Sequence, residues 1–214
     1  MIQKLLLILI FVCSVSTSFG QKSRKSLFSP STFGIQFTQG NEQNFLFDDL
    51  DYFYRTNTLK LQFIYPLTQW KKLNISLIIQ PQVQFIQHQL HNEQFVLPDE
   101  ENYLEKRANY TKLKSLSITA LEFTIDVKKQ LFRNTSLFLQ VGLGLGYIDT
   151  DTERLAKGFT FVENGNLGLE YSMNTKTSIR LFGGLGHVSN FNFQLPNSGY
   201  NILNIGLSLQ YSLK

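Results

Sequence analysis

Near the end of the chain, in the stretch "GHVSNFNFQLPNSGYN", His187 and Ser189 stand two residues apart, the only histidine and serine of the sequence this close together. The chemistry open to such a pair is proton transfer between an imidazole and a hydroxyl. The bland alternative is a polar strand end entering a loop. Which one holds depends on where the segment lies and what positions it.

Residues 1–20 run from a charged start at Lys4 through an apolar stretch, Leu5 to Val12, to small and polar residues ending Ser18-Phe19-Gly20. This pattern predicts a secretory signal peptide cleaved after Gly20. The apolar stretch is shorter than the roughly 20 residues a spanning helix needs. Cys13 is the single cysteine, and Val12 before it is not the small residue a lipoprotein signal requires. Residues 21–214 then carry no thiol, no disulfide framework and no cysteine-based metal site. The formal charge of +4, with both signs interspersed, gives no argument for nucleic acid. Nothing in the sequence calls for a cofactor.

Periodicity organises the rest as one domain, 21–214. Apolar residues fall on odd positions in eight runs, among them Phe33–Ile35–Phe37, Leu59–Leu61–Phe63–Tyr65, Leu121–Phe123–Ile125–Val127 and Leu203–Ile205–Leu207–Leu209–Tyr211. Between them stand polar residues or glycine, such as Gln36, Lys60, Glu122, Gly142, Arg180 and Gly206. This is the period of two expected for half-buried strands. Leu116 and Ile118 break the parity of the fourth run, which predicts a bulge near Thr119.

A soluble ligand-binding barrel would turn the same apolar face inward. Three features favour a transmembrane barrel with that face outward. Aromatics gather near the strand ends, Phe33, Tyr65, Tyr171 and Tyr211 at one rim and Phe85, Tyr147 and Phe161 at the other, as an interfacial girdle requires. Short connections, about 66–72, 128–134 and 173–176, alternate with longer ones, about 40–57, 88–113, 148–158 and 190–200. The final run, "NIGLSLQY", is similar to the C-terminal assembly signal of bacterial outer-membrane barrels. The expected fold is therefore an all-β, eight-stranded antiparallel transmembrane β-barrel in the bacterial outer membrane.

With both termini in the periplasm, a seventh strand at about Thr177–Ser189 runs outward, and His187 and Ser189 stand at its external end. Their odd parity matches Ile179, Leu181 and Leu185, so both face lipid. Polar residues there cost only about 0 to 1 kcal/mol close to the interface.

The segment resembles the lipid A 3-O-deacylase family of outer-membrane barrels, also called acyloxyacyl hydrolase-like proteins. That family's pattern is His-x-Ser-Asn, then Pro-Asn-x-Gly, then an acidic or amide residue. Here these are His187, Ser189, Asn190, Pro196, Asn197, Gly199 and Asn201. The resemblance implies a serine esterase that removes an ester-linked acyl chain from lipid A of lipopolysaccharide. Ser189 would be the nucleophile, His187 the general base, and Asn190 would occupy the place the family uses for oxyanion stabilisation, with Asn197 a further orienting residue. An outward site suits a substrate whose acyl chains already lie in the outer leaflet.

Two positions depart from the family. Asn201 stands where many members have a glutamate; it can hold a histidine tautomer but brings no negative charge. Phe191 and Asn192 replace small residues after the Ser-Asn pair. Glu163 reads first as an interfacial or loop-end carboxylate, and it is also a candidate source of the missing charge: a tight turn near Asn174 makes positions summing to about 350 face each other, which sets Glu163 beside His187.

Other candidates carry less. His88 and His91, near Glu93, read as solvated loop residues. Lys106, Arg107, Lys112, Lys114, Arg154 and Lys157 read as exposed loop charges by default, though placed where they could meet lipopolysaccharide phosphates. "GLGLG" at Gly142 to Gly146 reads as close packing inside a narrow barrel. The rivals to an esterase are a non-catalytic outer-membrane barrel and, further off, a soluble lipid carrier.

Overall fold

The computed structural model describes residues 29–47 and 50–213; the expected signal peptide and Cys13 lie outside the described residues. Eight strands form a closed antiparallel barrel in sequential order, β1 pairing with both β2 and β8. They are β1 (Thr32–Asn41), β2 (Tyr52–Trp70), β3 (Leu73–Leu90), β4 (Lys114–Gln130), β5 (Thr135–Ile148), β6 (Gly158–Ser172), β7 (Thr177–Ser189) and β8 (Tyr200–Ser212). Closure leaves no strand edge, the condition for spanning a bilayer with strands. Connections at 71–72, 131–134 and 173–176 are tight. At the opposite, external end lie L1 (42–47 and 50–51), L2 (91–113), L3 (149–157) and L4 (190–199).

The odd, apolar face is outside. Phe37, Leu59, Phe123, Leu139, Leu181 and Leu207 are all exposed, while Gln36, Lys60, Glu122, Gln140, Arg180 and Ser208 are buried in the lumen. In the half nearer the tight turns the lumen is filled by a paired polar network. Lys60 bonds Glu122 at 2.7 Å, and Arg180 joins Asp126 at 2.8 Å and Glu170 at 2.7 Å. Gln62 donates to Gln36 and Gln80. Glycines make room for these side chains and for the buried Phe182 ring: a Cβ at Gly142 would lie 2.4 Å from Glu122 Oε1, and one at Gly206 2.2 Å from the Phe182 ring. The "GLGLG" run is thus a packing device.

Toward the external end the lumen turns apolar. Tyr52, Tyr54, Ile86, Leu116, Ile118, Ile148, Val188, Tyr200 and Ile202 form one buried cluster. This corrects the expected bulge near Thr119. The β3–β4 register runs unbroken from Leu73 to His88, and Leu116 and Ile118 keep the inward parity of Ala120 and Glu122. What changes along β4 is the polarity of the lumen. The irregularity lies instead in β2, between Pro66 and Thr68.

The external loops fold back onto this cluster. L2 carries a 3-10 turn at Glu93–Phe95 and helix α1 (Tyr103–Tyr110). L3 buries Thr152, Glu153, Leu155 and Ala156. His88, expected in solvent, is fully buried because β3 continues to Leu90 and even positions point inward. Its Nε2 lies 2.6 Å from Glu153 and its ring stacks on Tyr54. His91 is exposed, as expected.

Candidate active site on the outer wall

The external end of β7 builds the site. Val188 is buried in the apolar cluster, which turns its neighbours His187 and Ser189 to the outer wall. The register brackets the imidazole: His187 faces Glu163 on β6 and Asn201 on β8. Directly paired residues have Cα atoms only about 4.5 to 5.5 Å apart. The turn at 173–176 sets this pairing, as the position of Asn174 leads one to expect. Among the described residues the imidazole's hydrogen bond goes to Asn201, with Nδ1 to Oδ1 at 2.7 Å, and not to Glu163. Ser189 faces Phe161 and is only 8% exposed. Thr160 Oγ1 donates to its carbonyl at 3.0 Å.

L4 holds the strand end in place. Phe191 and Asn192 have successive left-handed φ values of 53° and 60°, and the Phe193 N–H closes the turn on the Asn190 carbonyl. Asn190 is fully buried. Its backbone N–H donates to Asn197 Oδ1 at 2.7 Å, and its Nδ2 donates to the carbonyls of Gln194 and Pro196 at 2.8 and 3.4 Å. Both Nδ2 bonds point into the loop; the other amide atom, Oδ1, is buried without a partner among the described residues. Asn197 completes the brace by donating to Asn192 Oδ1 at 3.1 Å. Both asparagines therefore orient L4.

Gly199 must be glycine. Its φ is +62°, and a Cβ there would lie 2.5 Å from the Val188 carbonyl, 3.2 Å from His187 Cε1 and 3.4 Å from Ser189 Cβ. The chain turns against the His–Ser pair at the one place where a side chain would push it away.

Arg154 in L3 locks that turn, a role the sequence did not reveal. Its Nε donates to the Gly199 carbonyl at 2.6 Å, while its own carbonyl accepts from the N–H groups of Ser198 and Gly199. The guanidinium lies over the rings of Tyr52, 4.1 Å away, and Phe95, 5.2 Å away. Most of the other loop cations, expected as exposed charges, are similarly engaged. Lys106 pairs with Glu100, Arg107 donates to the Val96 carbonyl, and Lys114 lies over Tyr110. Partial burial would raise the Glu100 carboxyl, but the Leu97 N–H and Lys106 outweigh it and hold the group below the usual carboxylate range. Lys112 and Lys157 remain exposed.

Beside Ser189 the outer wall is aromatic. The Phe161 ring packs edge-on against Phe159 at 4.8 Å and Phe191 at 4.6 Å, with Phe193 at 6.1 Å. Below His187 stands outward Leu185, flanked by two bare positions, Gly165 across the β6–β7 ladder and Gly183 two residues further along β7. A Cβ at outward Gly165 would meet nothing within 4 Å, and one at Gly183 only a carbonyl at 3.6 Å. A hydroxyl, an imidazole and an amide thus meet an aromatic wall and an open strip, on a surface that faces lipid.

The family model for lipid A 3-O-deacylase (PagL) matches residues 13–210. Among solved structures, that of the outer-membrane enzyme PagL superposes with a TM-score of 0.54 at 12% identity, covering 83% of this chain and 97% of that one. Neisserial surface protein A gives 0.45 at 8% identity over 85% and 96%. No match was found among curated proteins. The family match spans all eight strands and ends within the last of them, and the chain belongs to the lipid A 3-O-deacylase family of outer-membrane enzymes.

Proposed function

We propose that the chain deacylates lipid A as a serine esterase, with Ser189 as nucleophile and His187 as general base. The observation that carries this reading is the 2.7 Å contact between His187 Nδ1 and Asn201 Oδ1, made on the outer wall two residues from Ser189. An amide oxygen at Nδ1 accepts the ring N–H, which leaves the proton-accepting lone pair on Nε2. That nitrogen takes the hydroxyl proton as Ser189 Oγ attacks the ester carbonyl. It then returns a proton to the departing sugar oxygen, and water hydrolyses the acyl-enzyme by the same route. Residues i and i+2 on one face stand about 6.5 to 7 Å apart along the strand, so the two side chains meet by leaning toward each other.

Asn201 fixes the tautomer, and Glu163, across β7 from it, supplies the negative charge that favours the imidazolium. Asn190 and Asn197 hold L4 in shape around the pair. The scissile acyl chain lies along the open strip by Gly165, so the substrate need not leave the leaflet. Residues 1–20 serve as the signal peptide that delivers the barrel to the outer membrane.

Fatty acid released from lipid A by the purified barrel in detergent tests the reading. Wild type should release it and Ser189→Ala should not, with both migrating as heat-modifiable barrels. Release by Ser189→Ala would remove the proposed nucleophile.

A further inference from the structure

On the other side of Asn201 from His187 the outer wall opens into a cleft of about 550 Å³ between β8, β1 and β2. One of its walls is polar, formed by Gln39, Asn41, Gln43 and Arg55, and the other is apolar, formed by Leu203 and Ile205. The register makes it continuous with the site. Leu203 follows Asn201 by two residues on the same face of β8, about 6.5 to 7 Å along the strand. Asn41 pairs with Leu203 on one side and with Arg55 on the other.

Arg55 is the distinctive group. It is exposed, its guanidinium rests over Phe53 at 5.6 Å, and it makes no ion pair among the described residues. The cations of the loop cap, by contrast, are largely engaged in building it. A guanidinium with no ion pair among the described residues, set among amides and facing an apolar wall at the external end of a lipid-facing surface, fits the phosphorylated head of an amphiphile. The fork of N–H donors matches phosphate oxygens, the amides match sugar hydroxyls, and Leu203 and Ile205 match the start of an acyl chain.

We propose that this cleft is the head-group subsite for the lipid A substrate, with Arg55 holding a phosphate and Gln39 and Asn41 the adjoining sugar. The inference rests on the esterase reading above and adds to it the direction in which the substrate lies. The phosphorylated sugar sits over β1 and β2, and the scissile ester reaches back across β8 to Ser189.

The test compares KM and kcat on phosphorylated lipid A and on the same lipid A after enzymatic removal of its phosphates. Arg55→Gln should raise KM on the phosphorylated substrate about tenfold, leave kcat close to wild type and leave KM on the dephosphorylated substrate unchanged. Arg55→Lys should fall between. Gln39→Glu, which alters the sugar contact for both substrates and puts a like charge in the cleft, should raise KM more for the phosphorylated substrate than for the dephosphorylated one. Equal effects on both substrates, or none on either, would overturn the proposal. Ser189→Ala reports separately on the esterase reading: its loss of turnover on both substrates is required whatever Arg55 does.

Discussion

His187 Nδ1 lies 2.7 Å from Oδ1 of Asn201, its register partner on β8, while its other register partner, Glu163 on β6, makes no bond to the ring. The imidazole thus has a neutral orienting group in contact and a carboxylate one strand away. Asn201→Ala should lower turnover by about 100-fold through misplacement of the ring. Asn201→Glu should preserve or raise it, because a carboxylate both orients the ring and stabilises the imidazolium. Glu163→Gln should lower it. These variants are read by initial rates of ester hydrolysis once heat-modifiability establishes that each barrel is folded. Unchanged turnover in Glu163→Gln would take Glu163 out of the mechanism.

Gly199→Ala joins two penalties. A left-handed alanine costs roughly 1 to 2 kcal/mol, and the new Cβ would press on the Val188 carbonyl and His187 Cε1. The strain falls on L4 and the His–Ser pair. Ester hydrolysis should drop well before the barrel loses heat-modifiability, and parallel loss of both would mean that Gly199 serves the fold as a whole.

The open strip below the site makes the opposite kind of prediction. A Cβ at Gly165 meets nothing within 4 Å and points outward, so Gly165→Leu should fold as wild type. It would, however, occupy the space assigned to the scissile acyl chain. The expected result is a raised KM for long-chain esters with a smaller effect on short-chain ones. Equal kinetics across chain lengths would place the acyl chain elsewhere.

Arg180 separates stability from chemistry. It is buried in the lumen between Asp126 and Glu170, far from L4. Arg180→Leu leaves two carboxylates without this partner, a loss on the order of 3 to 5 kcal/mol for a buried network. Urea unfolding in lipid should show a lower midpoint, while the folded fraction keeps its esterase rate.

Much of this arrangement is legible in the sequence because a barrel wall has only two faces. Odd parity alone sets His187, Ser189 and Glu163 on the lipid side, and the turn at Asn174 brings Glu163 opposite His187. Parity also misleads where the lumen changes character. Leu116 and Ile118 resemble a slip to the outer face, yet they line the apolar external end of the lumen. The rest depends on contacts between loops. The partner of buried His88 is Glu153, 65 residues away, and the partner of Arg154 is the Gly199 carbonyl, 45 residues away. No local pattern announces either pairing, so His88 reads as a loop residue and Arg154 as a free cation. Asn190 is similar: its motif suggests an oxyanion donor, and only the fold reveals its amide N–H groups turned into L4.

In the proposed mechanism Ser189 and His187 act together on lipid A in the outer membrane. Mass spectrometry of lipid A from cells expressing wild type, Ser189→Ala or His187→Ala, at matched amounts of folded barrel, tests it most directly. Wild type should convert lipid A to a species lighter by one acyl chain, and both variants should leave it intact. Deacylated lipid A in cells carrying either variant would rule out this nucleophile and base pair.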